Sequence, residues 1–173
     1  MDDSPLTFEP ISLCSAGALA EIIGKSYSEL VEKWPEAWER EHEKWEDFDR
    51  QAFAHPDTVG KCVFVGRFED QYVGLASYDP RPEPSYAIIG QNCVLPEFRG
   101  RGFGKQQILE ILRRFKDRDI RKARVVTSDH PFFRPAEGLY RSLGFQEVRR
   151  FAGGPDRRYR LIELEMGLLF ELP

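Results

Sequence analysis

The sequence predicts a mixed α+β fold, with one mixed sheet of six or seven strands and helices on both faces. Three observations predict it. Residues 86–129 read as strand, helix and strand, a β-α-β unit whose strands run parallel and are joined by a right-handed crossover. Runs of two-residue period on either side read as hairpins, which supply antiparallel partners. Residues 15–54 carry helical spacing ahead of the first hairpin.

The elements follow in order. "PLTFEPIS" (5–12) is a short opening strand. "SAGALAEIIGKSYSELVEKW" (15–34) reads as one helix, with Leu19, Ile22, Ile23, Leu30 and Val31 mainly on one face. Pro35 begins a second helix, since the missing N–H is harmless at a first helical position, and that helix stops near His55-Pro56. Trp34, Trp38, Trp45 and Phe48 fall near one face of it and read mainly as core. "CVFVGRFED" (62–70) and "YVGLASYDP" (72–80) form a hairpin about Asp70-Gln71. "RPEPS" is a proline-rich loop and "YAIIGQNCVL" (86–95) the next strand. "KQQILEILRRFKDR" (105–118) has apolar residues at 108, 109, 111, 112 and 115, an amphipathic helix of about four turns. "ARVVTSD" (123–129) is a strand, and "PAEGLYRSLGF" (135–145) a short helix that Gly144 ends. "FQEVRRFAG" and "RRYRLIELEM" close the chain as an antiparallel pair around "GGPD". No repeat, low-complexity segment or linker divides residues 1–173, which read as a single domain.

At 173 residues, 41% hydrophobic and 31% charged, the chain suits a globular domain. The net charge of -4 argues against a nucleic-acid binder, but the charge is uneven. Residues 29–50 hold nine acids against four bases, and residues 99–124 hold ten bases against three acids. Cys14, Cys62 and Cys93 lack metal-type spacing and are odd in number, which fits a reducing, cytoplasmic compartment. The amino terminus lacks the order of a signal peptide, and no apolar run approaches the roughly 20 residues of a spanning helix. "HEKWE" (42–46) lacks the second histidine of a zinc motif, so no metal site is expected.

"RGRGFGK" (99–105) carries the most chemistry. It is not a dinucleotide fingerprint, because Lys105 and Gln107 stand where that pattern needs glycine. Nor is it a Walker loop, which would need glycine at Arg99 and a hydroxyl at Gln106. It does follow a strand and open a helix, where unpaired backbone N–H groups and a positive helix end favour an anion.

"NCVLPEFRGRGFGK" (92–105) resembles the acetyl-CoA-binding segment of the GCN5-related N-acetyltransferases, the GNAT superfamily. Its Q/R-x-x-G-x-G/A pattern is matched by Arg99, Gly102 and Gly104, and the preceding Val-x-Pro-Glu-aromatic pattern by Val94, Pro96, Glu97 and Phe98. A second signature, A-x-x-L-Y-x-x-L-G-F, is matched at every specified position by "AEGLYRSLGF" (136–145). The resemblance implies a GNAT-type acyl-CoA N-acyltransferase fold and acetyl transfer from acetyl-CoA to a primary amine of a small molecule or peptide. It implies that strands 86–95 and 123–129 splay apart, that the pantetheine arm pairs with the backbone of Asn92, Cys93 and Val94, and that Gly100, Arg101, Gly102, Phe103, Gly104 and Lys105 hold the pyrophosphate. Arg99 and Arg101 would add charge-assisted contacts. Backbone N–H groups near Val94 suit the oxyanion, and Tyr140 is the family's usual general acid. An asparagine that many members carry seven residues before the tyrosine is Phe133 here.

The general base is not evident. An amine of pKa ~10.4 must give up a proton at a cost of about 4.6 kcal/mol at pH 7. Residues 86–95 contain no carboxylate, which leaves Asp129 and His130 as local candidates, Glu83 as a third, and water as a relay. The resemblance admits a homodimer. The alternative function is a domain that binds acetyl-CoA without turning it over.

Overall fold

The computed structural model describes residues 6–168. Its order is β1 (Thr7–Pro10), α1 (Ala18–Ser26), α2 (Ser28–Lys33), α3 (Pro35–Trp38), α4 (Glu41–Ala54), β2 (Val63–Phe68), β3 (Gln71–Asp79) and β4 (Ala87–Val94). Then come α5 (Phe103–Lys116), β5 (Lys122–Ser128), α6 (Arg134–Ser142), β6 (Gln146–Ala152) and β7 (Arg160–Gly167). The strands form a seven-stranded mixed sheet in the order β1-β2-β3-β4-β5-β7-β6. The predicted fold class holds, as does the parallel pair of the β-α-β unit: Ala87–Ile89 of β4 run beside Ala123–Val125 of β5. Pro5, the first residue of the predicted opening strand, lies outside the described residues.

The described chain forms two compact units, residues 6–78 with 91–111 and residues 79–90 with 112–168. In the first, Val63 and Val65 of β2, Val73 and Leu75 of β3, and Cys93 of β4 meet Leu19, Ile22 and Ile23 of α1 and Trp45 and Ala52 of α4 in one core. Alternate strand residues share a face, so these five positions supply a continuous apolar surface for the helices. Each fully buried Leu, Ile or Val contributes about 1.5–3 kcal/mol. At the helix pair, the carboxylate of Asp49 on α4 accepts from the backbone N–H groups of Gly17 at 2.8 Å, Leu19 at 2.9 Å and Ala20 at 3.3 Å. It thereby satisfies donors that the first turn of α1 leaves open, and negative charge suits that end of a helix.

Both predicted long helices are divided. The first breaks at Tyr27 (φ -111°, ψ 11°), whose ring packs 5.7 Å from that of Trp45. The second breaks at Glu39 and Arg40, although both keep right-handed helical dihedrals. Pro35 does open α3, and His55 ends α4. The hairpin turn falls at Glu69 and Asp70, one residue earlier than predicted, with Glu69 at φ 54°. Leu109, expected on the apolar face of α5, is 46% exposed.

In the second unit, β5 pairs antiparallel with β7 over its whole length, and β6 pairs with the other edge of β7. Gly144 ends α6 at φ +102°. The proline-rich loop is held by a two-bond ion pair from Arg118 to Glu83 and by the Arg121 N–H donating to the Pro84 carbonyl. No helix among the described residues is long and apolar enough to cross a membrane.

Candidate functional site

The glycine run forms a turn anchored at both ends. Phe98 and Phe103 bury their rings in the core of the first unit, 6.4 Å apart, and Phe103 packs 5.2 Å from Phe68. Between them the residues 99–102 are exposed. Gly100 and Gly102 take left-handed dihedrals, φ +76° and +80°. A Cβ at either would meet nothing within 4 Å, so conformation, not crowding by the protein, calls for glycine there. Gly104 differs: it lies in the first turn of α5 and has no positive φ. Gln106 is the first residue of α5 whose N–H reaches back into the turn, to the Gly102 carbonyl. Helix geometry leaves the N–H groups of Phe103, Gly104 and Lys105 without intrahelical acceptors, at the positive end of a 14-residue helix.

This arrangement suits a phosphate. Two left-handed glycines open the backbone, the helix end supplies donors, and Arg101 and Lys105 are exposed cations beside it. The Arg101 guanidinium lies 5.6 Å from the Phe98 ring centroid. Arg99 is engaged elsewhere. Its Nε donates to the Val94 carbonyl at 3.3 Å and its Nη2 to the Ser26 carbonyl, which ties the turn to the end of α1.

On β4 the backbone of Asn92 to Val94 sits against β3 at close quarters. A Cβ on Gly74 would stand 2.1 Å from the Cys93 carbonyl oxygen, so only glycine lets the strands approach there. The Cys93 side chain points into the core, and burial pushes its thiol pKa up to about 11, against weaker opposing contacts from Ser26 and Leu75. Gln107, fully buried on α5, spans these strands. Its Nε2 donates to Asn92 Oδ1 at 2.7 Å, the Cys93 carbonyl at 3.2 Å and the Leu75 carbonyl at 3.3 Å. Its Oε1 has no hydrogen-bond partner among the described residues. Asn92 Nδ2 in turn donates to the Gly104 carbonyl at 3.4 Å.

In the second unit Tyr140 is buried on α6, its ring edge-on to Phe145 at 5.6 Å. The carboxylate of Asp129 accepts from the Arg160 N–H at 2.7 Å, and its other oxygen lies 3.5 Å from Arg150. His130 is fully buried, edge-on to Tyr159 at 4.4 Å, and accepts from the Phe132 N–H through Nδ1. Burial lowers its pKa, with Arg158 acting the same way and Asp156 and Asp129 opposing. An imidazole that is neutral and accepts through Nδ1 carries its proton on Nε2. Phe133 packs edge-on to Phe132 at 5.1 Å.

A sequence model of the Acetyltransferase (GNAT) family matches residues 18–145, well over half of the chain. The chain belongs to the GNAT family. No curated protein matches it, but solved GNAT structures share its fold. A protein from Desulfovibrio desulfuricans described as a GNAT-family acetyltransferase superposes with a TM-score of 0.74 at 15% identity, over 94% of this chain and 99% of that one. The PaiA N-acetyltransferase of Thermoplasma acidophilum, solved with coenzyme A, gives 0.70 at 17%, over 95% and 99%. A GNAT-family acetyltransferase of Elizabethkingia anophelis with acetyl-CoA bound gives 0.64 at 14%, over 96% and 100%.

Within this GNAT chain, the structure brings Asn92–Val94 and the turn 99–105 together around Gln107 and Arg99. Two residues that position the elements were missed. Gln107 stands four residues before Ile111, on the buried stripe of α5, and Asp49 stands between Trp45 and Ala52 on that of α4. A polar side chain on an apolar stripe was the available signal in each case.

Proposed function

We propose that residues 1–173 act as one domain, an acetyl-CoA-dependent N-acetyltransferase whose acceptor is a primary amine of a small molecule or peptide. One observation carries the reading: two left-handed glycines in an exposed turn that feeds the amino end of α5. The family membership and the named ligands of the Thermoplasma and Elizabethkingia proteins support it.

In this reading acetyl-CoA supplies an activated thioester. The N–H groups of residues 100–105 hold its pyrophosphate with Arg101 and Lys105, and Arg99 keeps the turn in place. The backbone of Asn92–Val94 aligns the pantetheine arm, with an N–H near Val94 polarising the carbonyl. Tyr140 donates a proton to the departing thiolate. Both oxygens of Asp129 already face donors in this scheme, a backbone N–H and an arginine. His130 is enclosed, and Glu83 is paired with Arg118. Water is therefore the proton relay for the amine. Cysteines outside any disulfide support a reducing compartment.

The engagement of all three candidate bases favours a second reading, an acetyl-CoA-binding domain without turnover. Thiol release from acetyl-CoA across amines, amino acids and peptides tests both. Release with at least one amine is the expected result. Binding of acetyl-CoA with no release from any acceptor selects the second reading, and no binding overturns both.

A further inference from the structure

We infer that Gln107, acting through Asn92, is a positioning residue that locks the phosphate-binding end of α5 to the strand that holds the pantetheine arm. The inference rests on the acetyl-CoA reading above. Strand β4 and helix α5 would each grip one end of a single long ligand, so their relative placement decides whether both grips operate at once. Gln107 is the buried polar link between them. Its amide nitrogen has two hydrogens and faces three oxygens: Asn92 Oδ1 and the Cys93 carbonyl from β4, and the Leu75 carbonyl from β3. Rotating the amide would set its oxygen against all three, so the donor orientation is forced. The opposite atom, Oε1, has no partner among the described residues, and an apolar residue would fill the site without that deficit. The deficit is tolerated where the two amide hydrogens, shared among these oxygens, tie α5 to β3 and β4. Asn92 completes the link by donating to the carbonyl of Gly104 in the first turn of α5.

A lock of this kind shows in the intact ligand and not in its halves. In Gln107→Leu, acetyl-CoA should bind about ten-fold more weakly, a coupling of ordinary size between two sites on one ligand. ADP, which carries the pyrophosphate, and S-acetylpantetheine, which carries the arm, should each bind within about two-fold of their wild-type affinities. Titration calorimetry, with displacement for the weak halves, reads all three. Equal affinity of wild type and variant for acetyl-CoA overturns the inference. So does an equal loss for the halves and the whole, which is general loosening. Gly66→Ala is the second variant, for use if Gln107→Leu does not fold. Its methyl would come within 2.9 Å of Gln107 Oε1 from the far side, and it should weaken acetyl-CoA in the same selective way. Wild-type protein that binds none of the three ligands overturns the acetyl-CoA reading itself.

Discussion

Gly102 and Tyr140 carry predictions about the candidate site that belong to the single residue. Valine at position 102 must adopt φ near +80° or rebuild the turn. The left-handed region costs a non-glycine residue roughly 1–2 kcal/mol, more when β-branched. Since a Cβ there meets no protein atom, Gly102→Val should fold, with acetyl-CoA binding at least about ten-fold weaker for a cost of that size. Calorimetry on the folded variant checks it. Gly104→Val would report on crowding at the helix end, because that residue is already helical. For Tyr140, a phenol of pKa ~10 passing its proton to a thiolate of conjugate-acid pKa ~8.5 works uphill by roughly 2 kcal/mol. Tyr140→Phe should therefore lower kcat about ten-fold to a few hundred-fold, the weaker end of general acid catalysis. Acetyl-CoA affinity should hardly change, as the ring packed on Phe145 is kept. An unchanged kcat with chemistry rate-limiting would make Tyr140 a packing residue.

Among the elements, α1 depends on a cap that comes from another helix. Asp49→Ala strands three N–H groups beside a buried site and should cost about 2 kcal/mol. That corresponds to a melting temperature lower by about 4–8 °C in a domain of this size. Asp49→Asn, which keeps one acceptor oxygen, should lose less; equal melting of all three proteins would refute the cap. At the other end of the chain, Glu147 of β6 is held at a pKa of about 2 by hydrogen bonds from Arg150 and then Arg141. A carboxyl depressed in the folded state stabilises above its unfolded pKa and ceases to as pH falls through the folded value. The stability gap between wild type and Glu147→Gln should be present at pH 6 and gone by about pH 2, and small throughout because the group is exposed. Urea melts across that range would show it.

Elements were legible in the sequence wherever the signal was local. Strand-like runs located the strands of the described residues, and the glycines and prolines placed the ends of α4 and α6. The break at Tyr27 was not legible, because Leu30 continues the buried pattern after it and the ring at the break packs on Trp45, far along the chain. The same holds for the site. The glycine run and the "LYRSLGF" signature announce themselves, whereas the roles of Arg99 and Gln107 lie in carbonyls that only the folded strands and helices bring within reach.

For the molecule as a whole, acetyl-CoA should act as a stabiliser. At about 100 times its Kd, a ligand that binds only the folded state adds about 2.7 kcal/mol. For a chain of this length that is a rise of roughly 5–11 °C in melting temperature, readable by calorimetry. No rise at saturating concentration would count against the binding reading.

The enclosure of Cys93 has a practical side. A thiol with a pKa of about 11 is thiolate in only about one molecule in a thousand at pH 8. Cys62 is also buried, and Cys14 is the half-exposed member of the three. Native protein should thus react with a thiol-detecting dye through Cys14 first and slowly elsewhere, while unfolded protein should give three equivalents. The dye that reports turnover by capturing free coenzyme A would then carry a small, fixed enzyme background. That background doubles as an internal gauge: a jump towards three would announce that the enzyme in the cuvette had begun to denature.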